Sequence, residues 1–298
     1  MTCCILALTL FLSIWANAQT SKPKPDYHPL VEVQHEDLAE ARSHFKTNIL
    51  RKGPPPTEWE DLTVPVGATQ IVYPSGTLHL KAWISERPAN DKGRHPTVLF
   101  LHSGFDLGMD HWALAQLFRD AGYIVMIPTV RGENGQHGVF TMYYDEVNDV
   151  ISAADYLRAQ PYVDPEHVYV AGQSVGGTLA MLAAEMYRHF RAAASISGSP
   201  DQALYIKHAR LAKDNAPFDL TDPKEIQFRS PLSYAASFKC PVRIYYGTDE
   251  DYYAFIAPRT AEIAREHGVD AQAIVVKGGH ESDFAQSVKL AIDFFQQH

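Results

Sequence analysis

The segment Val168-Tyr169-Val170-Ala171-Gly172-Gln173-Ser174-Val175-Gly176-Gly177 holds the residues best suited to covalent chemistry. An apolar run leads into Gly-x-Ser-x-Gly and then directly into an Ala-rich stretch. That order predicts a serine on a tight strand-to-helix turn, where side chains at the flanking glycines would collide with neighbouring backbone. The turn lifts the hydroxyl above the sheet at the positive end of the helix. A random match to the glycine pattern arises in roughly a few per cent of such chains, and the strand-before, helix-after context lowers that further. A serine hydroxyl is a poor nucleophile until a base takes its proton. His280, in Gly278-Gly279-His280 just after the last apolar run, is placed to reach the serine from the carboxyl edge of a sheet. His267, in a predicted helix, and His298, at the terminus, are poorer candidates.

The imidazole needs a carboxylate to hold its tautomer and stabilise its charged form. Asp249, Glu250 and Asp251 follow the apolar run 242–246, between serine and histidine in chain order as such a site requires. One of them is expected to act and the others to be solvated; Asp201 is a weaker fourth choice. Charge developing on a substrate oxygen needs preorganised donors. The backbone N–H of Val175 is one candidate, and that of Gly104, with Phe105 next, is the other. His102 is expected to be a structural hydrogen-bonder under that loop. Tyr143, Tyr144, Trp112, Phe218, Tyr252 and Tyr253 can line a pocket, although most aromatics at such spacing are simply core.

These residues need a rigid frame. Strand-like runs fall at 70–73, 78–84, 97–101, 123–127, 168–171, 193–196, 242–246 and 272–276. Helical patterns fill the gaps at 110–121, 143–159, 175–190, 254–267 and 284–297. The alternation predicts an α/β fold: a mostly parallel eight-stranded sheet with right-handed crossovers and helices on both faces. Residues 199–239 show no strand and are expected to form a short lid-like insert that shapes the substrate site. Residues 63–298 are read as the catalytic domain, and 19–62 as a peripheral leader with a helix over 36–50.

The chain has 298 residues, 46% of them hydrophobic and 20% charged, which suits one globular domain and leaves little room for a second. A net charge of −9 disfavours nucleic acid as a partner. Ile5 to Trp15 are apolar and Ala16-Asn17-Ala18 is a small-x-small cleavage pattern, so residues 1–18 read as a signal peptide for a secreted or periplasmic protein. Residues 1–18 carry no Lys or Arg, and the run is too short to span a bilayer comfortably. After cleavage Cys240 is alone, so no internal disulfide forms; it precedes Pro241 and reads as a buried packing residue. His35-Glu36 and His280-Glu281 begin like a zinc helix motif, but Ala39 and Phe284 stand where the second His belongs. Neither a metal nor another cofactor is expected.

Together, His102-Ser103-Gly104, Ala121-Gly122-Tyr123 leading to Pro128-Thr129-Val130-Arg131-Gly132, Asp145 to Leu157, Val163-Asp164-Pro165, the Ser174 motif, Gly247-Thr248-Asp249-Glu250 and Gly278-Gly279-His280 resemble the α/β-hydrolase superfamily. The resemblance is greatest to the prolyl oligopeptidase catalytic-domain and dienelactone hydrolase-like branches, and covers residues 64–298. It implies a triad acid three residues after the glycine that ends the seventh strand, which selects Glu250, with Asp249 close behind. Many relatives have Gly where Ser103 stands. The β-propeller of full-length oligopeptidases is expected to be missing, with a short leader in its place. Ser174 disfavours dienelactone chemistry proper, which uses Cys there, and dehalogenases, which use Asp.

Three functions are compatible with these residues. The first is cleavage of small or medium carboxylic esters through an acyl-enzyme intermediate. The second is a serine peptidase for small peptides, for whose termini Arg131, Glu133 and Glu146 are available, though each is expected to be solvated surface charge. The third is a catalytically inactive binding protein on a hydrolase scaffold, disfavoured because nucleophile, base and acid candidates all survive.

Overall fold

Aliphatic runs without alternating polarity become strands covered on both faces. In the computed structural model, which describes residues 28–59, 61–87, 92–208 and 214–298, they form the middle of one eight-stranded sheet. The strands are β1 (Ala68–Ser75), β2 (Leu78–Ser85), β3 (His95–Leu101), β4 (Ile124–Pro128), β5 (Val163–Gln173), β6 (Ala193–Ile196), β7 (Val242–Gly247) and β8 (Ala271–Val276). Their order is β1-β2-β4-β3-β5-β6-β7-β8. β2 pairs antiparallel with both β1 and β4; every other pairing is parallel. All eight anticipated strands are present. The proposed signal peptide and the polar stretch 21–25 lie outside the described residues.

Helices α4 (Glu146–Arg158), α5 (Val175–Met186) and α8 (Tyr253–Glu266) contribute to the core on one face. On the other face lie α2 (Met109–Leu114), α3 (Gln116–Asp120) and α9 (Phe284–Phe295). The single helix expected over 110–121 is broken at Ala115, where ψ opens to 0°. Every residue of α5 from Val175 to Glu185 is buried, which explains its lack of a polar stripe. Cys240 is buried as a packing residue.

The N-terminal stretch is less peripheral than its composition predicts. Its helix, α1 (Leu38–Ser43), is a short piece of the expected 36–50. Asp37 caps it by accepting from the N–H groups of Ala39 and Glu40, and Leu38 and Ala41 enter the main core. Beyond it, Ile49 bridges to Phe218, so this chain is already spent on a strand-like contact. Among the described residues, 199–239 contain α6 (Gln202–His208), α7 (Pro223–Gln227) and a 3₁₀ turn at Pro231–Ser237.

Candidate active site

Ser174 occupies the one-residue bend between β5 and α5, at φ 54° and ψ −114°, a conformation that a side-chain-bearing residue holds only where surrounding structure enforces it. Its N–H donates to the Ile196 carbonyl at 2.8 Å, and its own carbonyl accepts from Thr178 N–H at 3.1 Å. The glycines are there for space. A methyl group on Gly172 would overlap the Gly176 carbonyl, and one on Gly176 would overlap the carbonyl oxygens of Leu101 and His102. The bend therefore packs directly on the end of β3.

His280 and Glu250 come together from the carboxyl ends of β8 and β7. His280 Nδ1 lies 2.7 Å from Glu250 Oε1, and the other carboxylate oxygen accepts from Gly247 N–H and from the Ser197 hydroxyl, each at 2.7 Å. Burial works against ionisation of Glu250, but the hydrogen bonds from His280, Gly247 and Ser197 outweigh it and hold its carboxyl below the usual range. The hydrogen bond to Glu250 in turn lifts His280 above the ordinary imidazole value, against the opposing effect of burial. Gln173 Nε2 donates to the His280 carbonyl at 3.2 Å, tying the residue beside the serine to the histidine loop. Among the described residues no direct hydrogen bond joins the Ser174 hydroxyl to the His280 ring.

The other acids are elsewhere. Asp249 is exposed and accepts from the Thr248 hydroxyl, Asp251 is exposed, and Asp201 accepts from the N–H groups of Leu30 and Leu204. His267 closes α8 through the Ile263 carbonyl, and His298 lies by Asp270. Gly104 and Val175 line one narrow cleft with Leu101, His102, Glu133 and Leu179. Phe105 turns its ring to Phe140 and Tyr143, at centroid distances of 5.0 and 6.0 Å. His102 is buried under this loop, with Nδ1 3.0 Å from the Ser103 carbonyl and Nε2 3.1 Å from Glu133. Burial would depress it, yet the Glu133 carboxylate raises it overall.

Of three charges expected on the surface, two are buried and the third, Arg131, is partly buried. Glu133 and Glu146 are 3% and 2% exposed. Glu133 holds His102 and accepts from Val130 N–H, while Glu146 accepts from the N–H and hydroxyl of Thr141. Burial pushes the Glu146 carboxyl up to about 7. Arg131 is held by buried Asp149 at 2.8 Å. Each is desolvated because a partner compensates it, and those partners were not visible in local spacing. Two site residues were not anticipated at all. Ser197 follows β6 at φ 49°, and its hydroxyl lies between Glu250 and Asp283. Asp283 is fully buried, and burial together with the Glu250 charge pushes its carboxyl to about 6. Its position three residues past His280 was the available signal. Among the described residues no group of three His, Cys, Asp or Glu side chains can hold a metal ion, and no helix is long and apolar enough to cross a membrane.

A strained serine between β5 and α5, with histidine and carboxylate after β8 and β7, defines an α/β-hydrolase. The fold agrees with solved structures of that kind. The Pyrococcus horikoshii acylaminoacyl peptidase superposes with a TM-score of 0.65 at 19% identity, over 77% of this chain and 41% of that one. An esterase from the archaeon Pyrobaculum calidifontis gives 0.61 at 19% identity, over 77% and 85%. The model of the prolyl oligopeptidase family matches residues 110–288, and the chain belongs to that family. It is 27% identical over 194 residues to the uncharacterized peptidase YuxL of Bacillus subtilis, covering 58% of this chain but only 28% of YuxL.

Proposed function

We propose that the chain cleaves carboxylic esters of small or medium size through an acyl-enzyme on Ser174. His280 takes the serine proton and returns it to the leaving alcohol; water then repeats the cycle on the acyl group. Glu250 holds the imidazole tautomer, and the N–H groups of Val175 and Gly104 receive the developing oxyanion. The observation that carries this reading is the 2.7 Å bond from His280 Nδ1 to a buried, ionised Glu250, which leaves Nε2 for the hydroxyl. The similarity to an esterase of which the chain covers 85% supports the ester reading.

A peptidase acting on small peptides is the second reading, favoured by the family and by the peptidase names of its relatives. Against it, Arg131, Glu133 and Glu146 are all committed to internal partners. The insert at 199–239 is assigned to substrate shaping: Tyr205 of α6 packs against the core cluster that contains Tyr143, whose ring lies by Phe105. Export with cleavage after Ala18 belongs to the same proposal and is tested by N-terminal sequencing of the exported form.

Hydrolysis of p-nitrophenyl acetate and butyrate, compared with matched amides, is the direct test. Turnover of the esters that is abolished in Ser174→Ala supports the assignment. Faster turnover of the amides would install the peptidase reading. An inert chain that no fluorophosphonate labels would leave only the binding scaffold.

A further inference from the structure

The connection from β3 to α2 carries the Gly104 and Phe105 N–H groups, and both of its ends meet one imidazole. Gly108 N–H donates to His111 Nδ1 at 2.8 Å. A ring nitrogen that accepts a hydrogen bond carries no proton, so in the neutral ring the proton is on Nε2. That nitrogen lies 3.0 Å from the Ser103 hydroxyl oxygen and donates to it. The arrangement requires an uncharged ring, since an imidazolium has nothing with which to accept from Gly108. Two effects enforce this. His111 is buried, and His102, held by Glu133, has its ring centroid 5.1 Å away; burial first and His102 second push His111 down to about 4. Asp110 opposes them from 3.8 Å, but its side chain is largely in solvent.

We propose that His111 is a positioning residue for the oxyanion loop: its ring fastens Ser103 to Gly108 and thereby fixes the direction of the N–H groups between them. The Ser103 hydroxyl is the handle, and a glycine at that position would give the ring nothing to hold. The proposal rests on reading Ser174 as the nucleophile and this loop as a source of an oxyanion donor. The loop is further held at Leu107, whose N–H and carbonyl bond to the Asn134 side chain at 2.8 and 2.9 Å. The His111 clamp therefore tunes the loop without being its sole support.

The test combines the phosphonylation rate with a fluorophosphonate and the kinetics on p-nitrophenyl butyrate. Ser103→Ala is expected to lower kcat and the phosphonylation rate about tenfold with KM within about twofold, because a misaimed donor weakens only the transition state. Ser103→Thr, which keeps the hydroxyl, restores most of the rate. His111→Ala removes both arms and costs about a hundredfold. The double variant Ser103→Ala/His111→Ala is no slower than His111→Ala, because His111→Ala has already removed the one bond through which Ser103 acts. Melting temperature of Ser103→Ala stays at the parent value. A Ser103→Ala protein as fast as the parent overturns the proposal, as do equal losses in Ser103→Ala and Ser103→Thr, or multiplying losses in the double variant. If His111→Ala fails to fold, the two Ser103 variants decide alone. A parent protein that the probe does not label refutes the nucleophile itself; a labelled parent with an unimpaired Ser103→Ala refutes only the positioning role.

Discussion

Glu250 stands among three consecutive acids, and its role follows from where the loop after β7 aims each one. Gly247 N–H and the Ser197 hydroxyl fix one oxygen of Glu250, so the other meets His280, while Asp249 and Asp251 remain in water. Glu250→Gln is expected to lower kcat about 10³- to 10⁴-fold by losing the charge that favours the working tautomer. Asp249→Asn should stay near the parent value, and the reverse ranking in steady-state assays would move the acid. Asp283 leads to a pH prediction. His280 must be neutral to act as a base, and its raised pKa places the acid limb of kcat/KM above the ordinary value of 6.5. The negative charge of Asp283 adds to that rise. Asp283→Asn therefore moves the limb to lower pH, and a limb that stays put or moves upward would remove Asp283 from the site. The sequence displayed Ser174 and His280 because glycines on both sides of the one and just before the other mark tight turns. It could not display Ser197 or Asp283, whose partners are brought together by the packing of β6, β7 and α9.

Among the elements, the β5–α5 bend depends on contact with β3 as much as on its own turn. Gly176→Ala places a methyl group where the carbonyl oxygens of Leu101 and His102 lie. The end of β3 must then retreat, carrying the Ser103–Phe105 loop with it. A displacement near 1 Å at a catalytic group costs about a hundredfold, so kcat should fall at least that far, with a lower melting temperature. Circular dichroism and ester kinetics check both, and a fully active Gly176→Ala would show the contact to be dispensable. α5 carries a separate liability. Glu185 is fully buried, neither carboxylate oxygen has a hydrogen-bond partner among the described residues, and burial raises its pKa well above the usual range. The folded state thus binds a proton that the unfolded chain gives up, so stability falls as pH rises above the unfolded value of about 4.3. Glu185→Leu should stabilise the protein by about 1–3 kcal/mol at neutral pH and flatten that dependence, as read by denaturant titration. The strands were legible because runs covered on both faces need no alternation. The helix ends were less so: the break at Ala115 and the short α1 answer to contacts from elsewhere.

For the molecule as a whole, one side chain joins three separate stretches of chain. Arg229 is fully buried in the insert between β6 and β7. Its guanidinium donates to the carbonyls of Thr141 and Met142, to the Thr47 hydroxyl, and to Glu225 Oε2 at 2.6 Å. Glu225 also accepts from Thr47 and Asn48, so the N-terminal stretch is fastened to the insert through the same pair. Met142 and Tyr143 next to it hold positive φ values of 52° and 68°, a conformation that a loose loop would abandon. Residues separated by 88 and 182 positions meet here, beyond the reach of any periodicity, and for that reason the cohesion of the leader was not readable in advance. Arg229→Met leaves Glu225 buried without its counterion and is expected to cost about 3–5 kcal/mol. The double variant Arg229→Met/Glu225→Gln should recover part of that loss, since the stranded charge and not the missing contact is the larger penalty. In the same variants KM should rise more than kcat falls, because relaxation of Tyr143 disturbs the wall near Phe105 while the bond between His280 and Glu250 is untouched. Urea titration together with ester kinetics reads both effects. A single variant as stable as the parent, or a double variant worse than the single, would show that the three stretches are held by packing and not by this ion pair.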